Sequence, residues 1–277
     1  AMAIQRDSVK EIIAQCHRSG VKVVGGGPLF TGEHEHFPEV DHFVLNEAEL
    51  TLPPFLEDLE KGCARKVYSS QAFADIQQTP PPMWELIDLQ RYVSMSIQYS
   101  RGCPFNCEFC NVTALFGHQP RIKTPAQIVA ELDGLYRLGW RDQIFFVDDN
   151  FIGNKTRLKQ ELLPALIDWQ KRRGGVPFCT EASINLADDE PLMQTMVAAG
   201  FDTVFVGIET PDEAGLTECN KKQNRNRDLV ESVKRIQRAG LQVQAGFIVG
   251  FDSDTPSIFK RQIDFIQKSG IVMAMVG

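Results

Sequence analysis

The chain has 277 residues, 43% hydrophobic and 23% charged, a composition able to bury a sizeable core in one large or two modest domains. Its formal charge of -7 gives no basic excess, which argues against a nucleic-acid partner, and no apolar run reaches the roughly 18–20 residues of a membrane helix. Seven cysteines at irregular positions make no disulfide framework; with no signal-peptide pattern at the start, they point to a reducing, cytoplasmic setting.

The first 63 residues read as α/β. Ser8-Val9-Lys10-Glu11 has the form of a capping box and predicts a helix through His17, closed by Gly20. A buried strand over 21–24 runs into Gly25-Gly26-Gly27-Pro28, a second strand covers 42–45, and a helix over 47–60 stops at Gly62. This order matches the back half of a doubly wound domain, whose ligands bind beyond the carboxyl ends of its strands. The glycine run is either a tight turn needing positive φ or a turn that contacts a cofactor. His34 and His36 fit a solvated loop pair better than a metal site. From 64 to 92 periodicity fades, and Pro80-Pro81-Pro82 stiffens the chain. That stretch is expected to be the linker, with 83–87 packing on the domain that follows.

Residues 93–277 repeat one unit. Strands are expected over 95–99, 143–147, 178–184, 203–206, 241–249 and 271–276, separated by helices that begin near Thr124-Pro125, Lys155, Glu190, the region after Thr210, and Thr255-Pro256. Six strands alternating with five helices imply parallel pairing through right-handed crossovers. Six is too few for a closed eight-stranded barrel. A chain that starts at a helix and stops on the sixth strand reads as a piece of a longer protein.

Three cysteines, Cys103, Cys107 and Cys110, fall within eight residues directly after the first of these strands. Thiolates are soft ligands for zinc, copper(I) or iron–sulfur clusters. A structural zinc site wants four ligands, commonly two close pairs, whereas Cys16, Cys63, Cys179 and Cys219 are isolated and His118 has no partner at zinc-finger spacing. A 4Fe-4S cubane usually takes four cysteines, so three leave one iron open to another ligand. Zinc and inert thiols stay open as alternatives.

The pattern Cys-x3-Cys-x-Phe109-Cys, led by Ser100-Arg101-Gly102 and followed at Pro104, resembles the signature of radical S-adenosylmethionine (radical SAM) enzymes. The resemblance implies a partial (β/α)6 barrel and a 4Fe-4S cluster on Cys103, Cys107 and Cys110, with the methionyl amine and carboxylate of S-adenosylmethionine on the fourth iron. It puts Asp148-Asp149-Asn150 where a Gly-Gly-Glu stretch commonly binds the methionyl amine, with the contacting residue left open. It makes Glu181, Ser183 and Glu209 candidates for the ribose and methionyl groups, and Gly246 and Ile248 candidates for the adenine. A salt bridge at the barrel rim is the alternative for each carboxylate. Residues 23–28 and 44–49 resemble the later part of the cobalamin-binding domain that precedes many radical SAM barrels, although the cobalt-ligating Asp-x-His-x-x-Gly motif is absent. Gly25, Gly26 and Gly27 thereby become candidate cobalamin contacts. Lys221, Lys222, Arg225 and Arg227 fit a solvated face better than an anion site, and Cys179 and Cys219 fit small core residues.

Activity follows from the same resemblance. Reductive cleavage of S-adenosylmethionine would give methionine and a 5'-deoxyadenosyl radical that abstracts a substrate hydrogen. With cobalamin, methyl would pass to an unactivated carbon. Pro81-Pro82-Met83-Trp84-Glu85-Leu86 and residues 147–154 resemble the bacterial subgroup that includes hopanoid C-2 methylases, which implies a small-molecule or polycyclic lipid substrate, and flavodoxin or ferredoxin as electron donor. Radical cyclisation or rearrangement without methylation, and a non-catalytic iron–sulfur or zinc protein, are the alternatives.

Overall fold

The computed structural model describes residues 1–277 and divides into two compact units, Ala1–Thr79 and Pro80–Gly277. In the first unit, β1 (Val24–Gly26), β2 (His42–Val44) and β3 (Val67–Tyr68) form a parallel sheet in that order. Helices Arg6–Arg18, Pro28–Glu33 and Ala48–Glu60 accompany it. Ile13, Leu29, Phe30, Phe37, Val40, Phe43 and Leu45 make its core.

Two expectations change here. The capping box at Ser8 does not form: a 3-10 turn, Ala3–Gln5, runs straight into the helix, so Ser8 already lies inside it with no free helix end to cap. Within 64–92, the linker also holds a strand, since Val67 and Tyr68 pair with β2, while Trp84, Ile87 and Leu89 pack on the second unit's core, as expected for 83–87. A two-residue strand is too short to show a period of two. The glycine run is only partly a positive-φ turn. Gly27 has φ +92°, whereas a Cβ on Gly25 would come within 3.1–3.3 Å of Phe43, Val40 and Phe30, and one on Gly26 within 3.0 Å of the Val44 carbonyl.

The second unit is an open parallel sheet. β4 (Met95–Ile97), β7 (Ile144–Phe146), β8 (Phe178–Glu181), β9 (Phe201–Glu209), β10 (Gln242–Phe247) and β11 (Met273–Val276) are neighbours in chain order. β4 and β11 remain edges, so this is the partial six-stranded barrel expected. A hairpin of β5 (Ser100–Arg101) and β6 (Arg121–Ile122) interrupts the first crossover. Helices Pro125–Arg137, Leu163–Arg173, Glu190–Ala198, Leu229–Arg238 and Ile258–Ser269 cover one face. Thr124 and Gln127 do form their capping box: the Thr124 hydroxyl accepts from the Gln127 N–H at 3.2 Å and the Gln127 side chain accepts from the Thr124 N–H at 2.9 Å.

Strand alternation sorts residues between the two faces. Phe178 and Thr180 are buried toward the helices, while Cys179 and Glu181 are half-buried on the other face. Phe146, Phe151, Phe178 and Phe201 form an aromatic cluster with ring centroids 4.9–5.5 Å apart. This geometry suits edge-on and tilted ring contacts and anchors the strands beneath their carboxyl ends. β8 stops at Glu181 instead of continuing to 184, because Ile184–Asp188 turns as a 3-10 helix. No helix is long and apolar enough to cross a membrane.

Candidate functional site

The cysteine loop is tied at both ends by the β5–β6 pair. Its first turn requires glycine: Gly102 has φ +98°, and a Cβ there would lie 2.9 Å from the Gly117 carbonyl. Cys103 donates its N–H to that same carbonyl at 3.3 Å, and Cys110 donates to the Cys107 carbonyl at 3.1 Å. The three cysteines, with Phe105, Phe109 and Val112, form one wall of a pocket. Asp149 and Asn150 after β7, Glu181 and Ser183 at the end of β8, and Phe205, Gly207 and Glu209 of β9 form the opposite wall. All of the second group lie at or near the carboxyl ends of parallel strands, where β/α barrels gather reactive groups.

The Asp148-Asp149-Asn150 stretch divides by face. Asp148 is 1% exposed and does not line the pocket. Its carboxylate accepts the N–H groups of Tyr99 and Ser100, which fixes the start of the cysteine loop to the end of β7. Burial pushes its carboxyl up to about 7, against the downward pull of Ser100 and Tyr99. Asp149 lines the pocket and accepts from the Gly102 N–H at 2.8 Å. Burial pushes it up as well, with Gly102 and the Arg101 and Arg121 guanidinium groups pulling it down. Asn150 accepts the N–H of Ser183 at 3.2 Å through its amide oxygen, so the loops after β7 and β8 are locked together.

Glu181 projects into the pocket with no hydrogen-bond partner in the protein. Burial raises its pKa, the nearby Asp149 charge adds to the rise, and Lys221 opposes it. Glu209 adopts φ +64° and pairs with Lys221 at 2.5 Å. That pair folds over Gly207, where a Cβ would stand 2.3 Å from Glu209 Oε1 and 2.7 Å from Lys221 Nζ. Gly207 is therefore the glycine that makes room in this pocket. Gly246 and Ile248 lie outside its lining: Gly246 accommodates the Phe205 ring, 3.0 Å from where its Cβ would be. The N–H of Ile248 goes to the Glu209 carbonyl, and its own carbonyl accepts from Gln262. Gly25, Gly26 and Gly27 belong to the first unit.

The basic run after β9 is not a uniform solvated face. Lys221 is 9% exposed, lines the pocket, and places its ammonium 5.6 Å from the Phe109 ring centroid. Arg227 instead grips Asp188 with two bonds of 2.6 and 2.8 Å. Only Lys222 of the four is fully exposed. Cys219 is buried and directs its thiol at the Leu216 carbonyl, 3.8 Å away. Its own carbonyl accepts from the Glu108 N–H at 3.0 Å, and Asn220 Nδ2 donates to the Asn106 carbonyl at 2.7 Å, so this segment clasps the cysteine loop. No spacing in the sequence announces that contact, because it joins residues more than a hundred positions apart.

The donor set suits a cluster better than a single ion. No three His, Cys, Asp or Glu side chains converge to hold one metal ion, whereas a cubane takes one thiolate at each of several corners. Burial pushes the thiols of Cys103 and Cys110 up. Metal coordination reverses that preference, since a coordinating thiol is deprotonated outright.

The chain is similar to known proteins of one superfamily. A family model described as the Radical SAM superfamily matches residues 97–266. The chain is 45% identical over 273 residues to an uncharacterized methyltransferase of Synechocystis sp., covering 98% of this chain and 51% of that protein. It is 36% identical over 280 residues to the hopanoid C-2 methylase of Rhodopseudomonas palustris, covering 99% of this chain and 53% of that protein. The chain thus spans about half the length of the curated relatives it matches. Among solved structures, the radical S-adenosylmethionine methyltransferase TsrM of Kitasatospora setae, with cobalamin and a 4Fe-4S cluster bound, superposes with a TM-score of 0.79 at 17% identity. That match covers 99% of this chain and 60% of TsrM. At that identity the likeness establishes the fold.

Proposed function

The chain belongs to the radical SAM superfamily, and from that premise we propose that it is the core of a cobalamin-dependent methyltransferase acting on an unactivated carbon. One observation carries the reading: three cysteines on a pinned loop face Asp149, Glu181 and the Glu209–Lys221 pair across a single pocket at the strand ends. When bound, the 4Fe-4S cluster and S-adenosylmethionine supply a 5'-deoxyadenosyl radical, and cobalamin supplies the methyl group.

The residues have distinct tasks. Cys103, Cys107 and Cys110 would hold the cluster, whose chemistry, with S-adenosylmethionine bound beside it, is reductive cleavage of the sulfonium. Asp149 and Glu181 would accept the N–H groups of the methionyl amine: both carboxyls are raised by burial, and charge-assisted hydrogen bonds would offset that cost. Ser183, held through Asn150, donates its hydroxyl to Asn185 Oδ1 at 2.6 Å and so would offer the ribose an acceptor oxygen. Lys221 neutralises Glu209 and keeps that carboxylate oriented into the pocket. Phe105, Phe109, Val112 and Phe205 give the site apolar walls that exclude water. Gly25, Gly26 and Gly27 are the proposed cobalamin-facing run of the first unit.

The hopanoid C-2 methylase relative supports a polycyclic lipid substrate; the proposed reductant is flavodoxin or ferredoxin, and the proposed setting the cytoplasm. The test is anaerobic turnover of protein loaded with both cluster and cobalamin, with methyl-labelled S-adenosylmethionine, reductant and a hopanoid lipid. The expected products are 5'-deoxyadenosine and label on a ring carbon. An altered product without label would replace methylation by cyclisation or rearrangement. Zinc without sulfide in the purified protein would remove the radical reading altogether.

A further inference from the structure

The segment that clasps the cysteine loop also reaches one of its sulfurs. Gln223 Nε2 lies 3.7 Å from Cys107 Sγ, within the longer range that sulfur acceptors allow. Gln223 is carried on a 3-10 turn, Lys222–Asn224, and that turn is anchored. Asn224 is 0% exposed and donates from Nδ2 to the carbonyls of Gly207 and Ile208, each at 3.0 Å. The amide therefore approaches the sulfur from a fixed support on β9. Its Oε1 is buried without a partner in the protein, so no other contact dictates which way the amide faces. A thiol could donate to that oxygen, but a ligating thiolate only accepts. Once Cys107 ligates, the amide must present N–H to sulfur.

We propose that Gln223 is a positioning residue for the iron–sulfur cluster, donating its amide N–H to the Cys107 thiolate and raising the cluster's reduction potential. A donor at a ligand sulfur stabilises the extra negative charge of the reduced state more than the charge of the oxidised state, and hydrogen bonds to sulfur are among the determinants of cluster potential. The backbone contacts at Glu108 and Asn106 hold the loop in place but touch no sulfur. The sulfurs of Cys103 and Cys110 have backbone donors of their own, the N–H groups of Phe105 and Val112, which no side-chain substitution at 223 removes; the side-chain effect at Cys107 is assigned to Gln223. This inference rests on the reading that Cys107 ligates the cluster.

The experiment is anaerobic potentiometry of the reconstituted chain, followed by the electron paramagnetic resonance signal of the reduced cluster, alongside iron and sulfide analysis. Gln223→Leu and Gln223→Glu are expected to keep wild-type iron and sulfide and to shift the midpoint to more negative values. The carboxylate should shift it further, because it adds a charge beside the thiolate. Asn220→Ala, which loses a loop contact at a left-handed φ of +54° but removes no donor to sulfur, is expected to keep the wild-type midpoint. If one Gln223 variant fails to assemble a cluster, the other carries the comparison. Midpoints unchanged from wild type, or an Asn220→Ala shift as large as that of Gln223→Leu, would overturn the proposal. Wild-type protein without stoichiometric iron and sulfide would instead sink the ligand assignment itself.

Discussion

Asp148 and Asp149 are adjacent carboxylates with opposite fates, and the cause is the pleat of the strand before them. Phe146 and Asp148 are buried on the helix side, while Phe145, Val147 and Asp149 alternate on the other face. Counting that period onward from β7 would have separated the structural acid from the pocket acid. Asp148→Asn should leave the Tyr99 or Ser100 N–H facing an amide N–H, a buried mismatch costing about 1–3 kcal/mol, read by urea unfolding at constant pH. Its titration has a definite sign. With a folded pKa of about 7 against an ordinary 3.8, Asp148 binds its proton more tightly in the folded state. Its contribution to stability is complete below the ordinary value and is lost as pH rises toward 7. Wild-type stability should therefore carry a downward component across that window which Asp148→Asn lacks. Cys107→Ala is expected to abolish both cluster absorbance and 5'-deoxyadenosine formation; survival of either would refute the ligand role.

Helix starts and strand ends test the element scale. Thr124→Ala should cost about 1 kcal/mol, the usual worth of an N-cap. Ser8→Ala should stay within about 0.5 kcal/mol, because Ser8 caps nothing. Both are measured by denaturant titration. β9 ends on Glu209 at φ +64°, a left-handed conformation that a non-glycine residue holds only when its surroundings compensate. The compensation is the ion pair with Lys221, which in turn needs the bare backbone of Gly207. Gly207→Ala should push that pair aside and weaken S-adenosylmethionine binding by roughly tenfold, about 1.4 kcal/mol, while iron and sulfide content stays at the wild-type level. Anaerobic equilibrium dialysis beside metal analysis checks both halves.

At the scale of the whole molecule, the pocket draws all its residues from Pro80–Gly277. A chain beginning at Pro80 should therefore still bind iron and sulfide. If the first unit holds cobalamin as proposed, the same truncation should lose cobalamin absorbance, and retention of both would remove the cofactor role of that unit. The cysteine spacing, the six β/α repeats and the Thr124 cap could be read from the sequence because each rests on contacts between near neighbours or on a short period. The two-residue strand β3, the burial of Lys221 beside Glu209, and the grip of Cys219–Gln223 on the cysteine loop could not. They depend on residues brought together from distant parts of the chain, and a linear pattern carries no record of which loops meet at a strand end. By itself, the sequence determined that three cysteines stand on a loop after the first strand of a parallel partial barrel. Tertiary structure alone decided which carboxylates face those cysteines, which glycine makes room for them, and which amide donates to a sulfur.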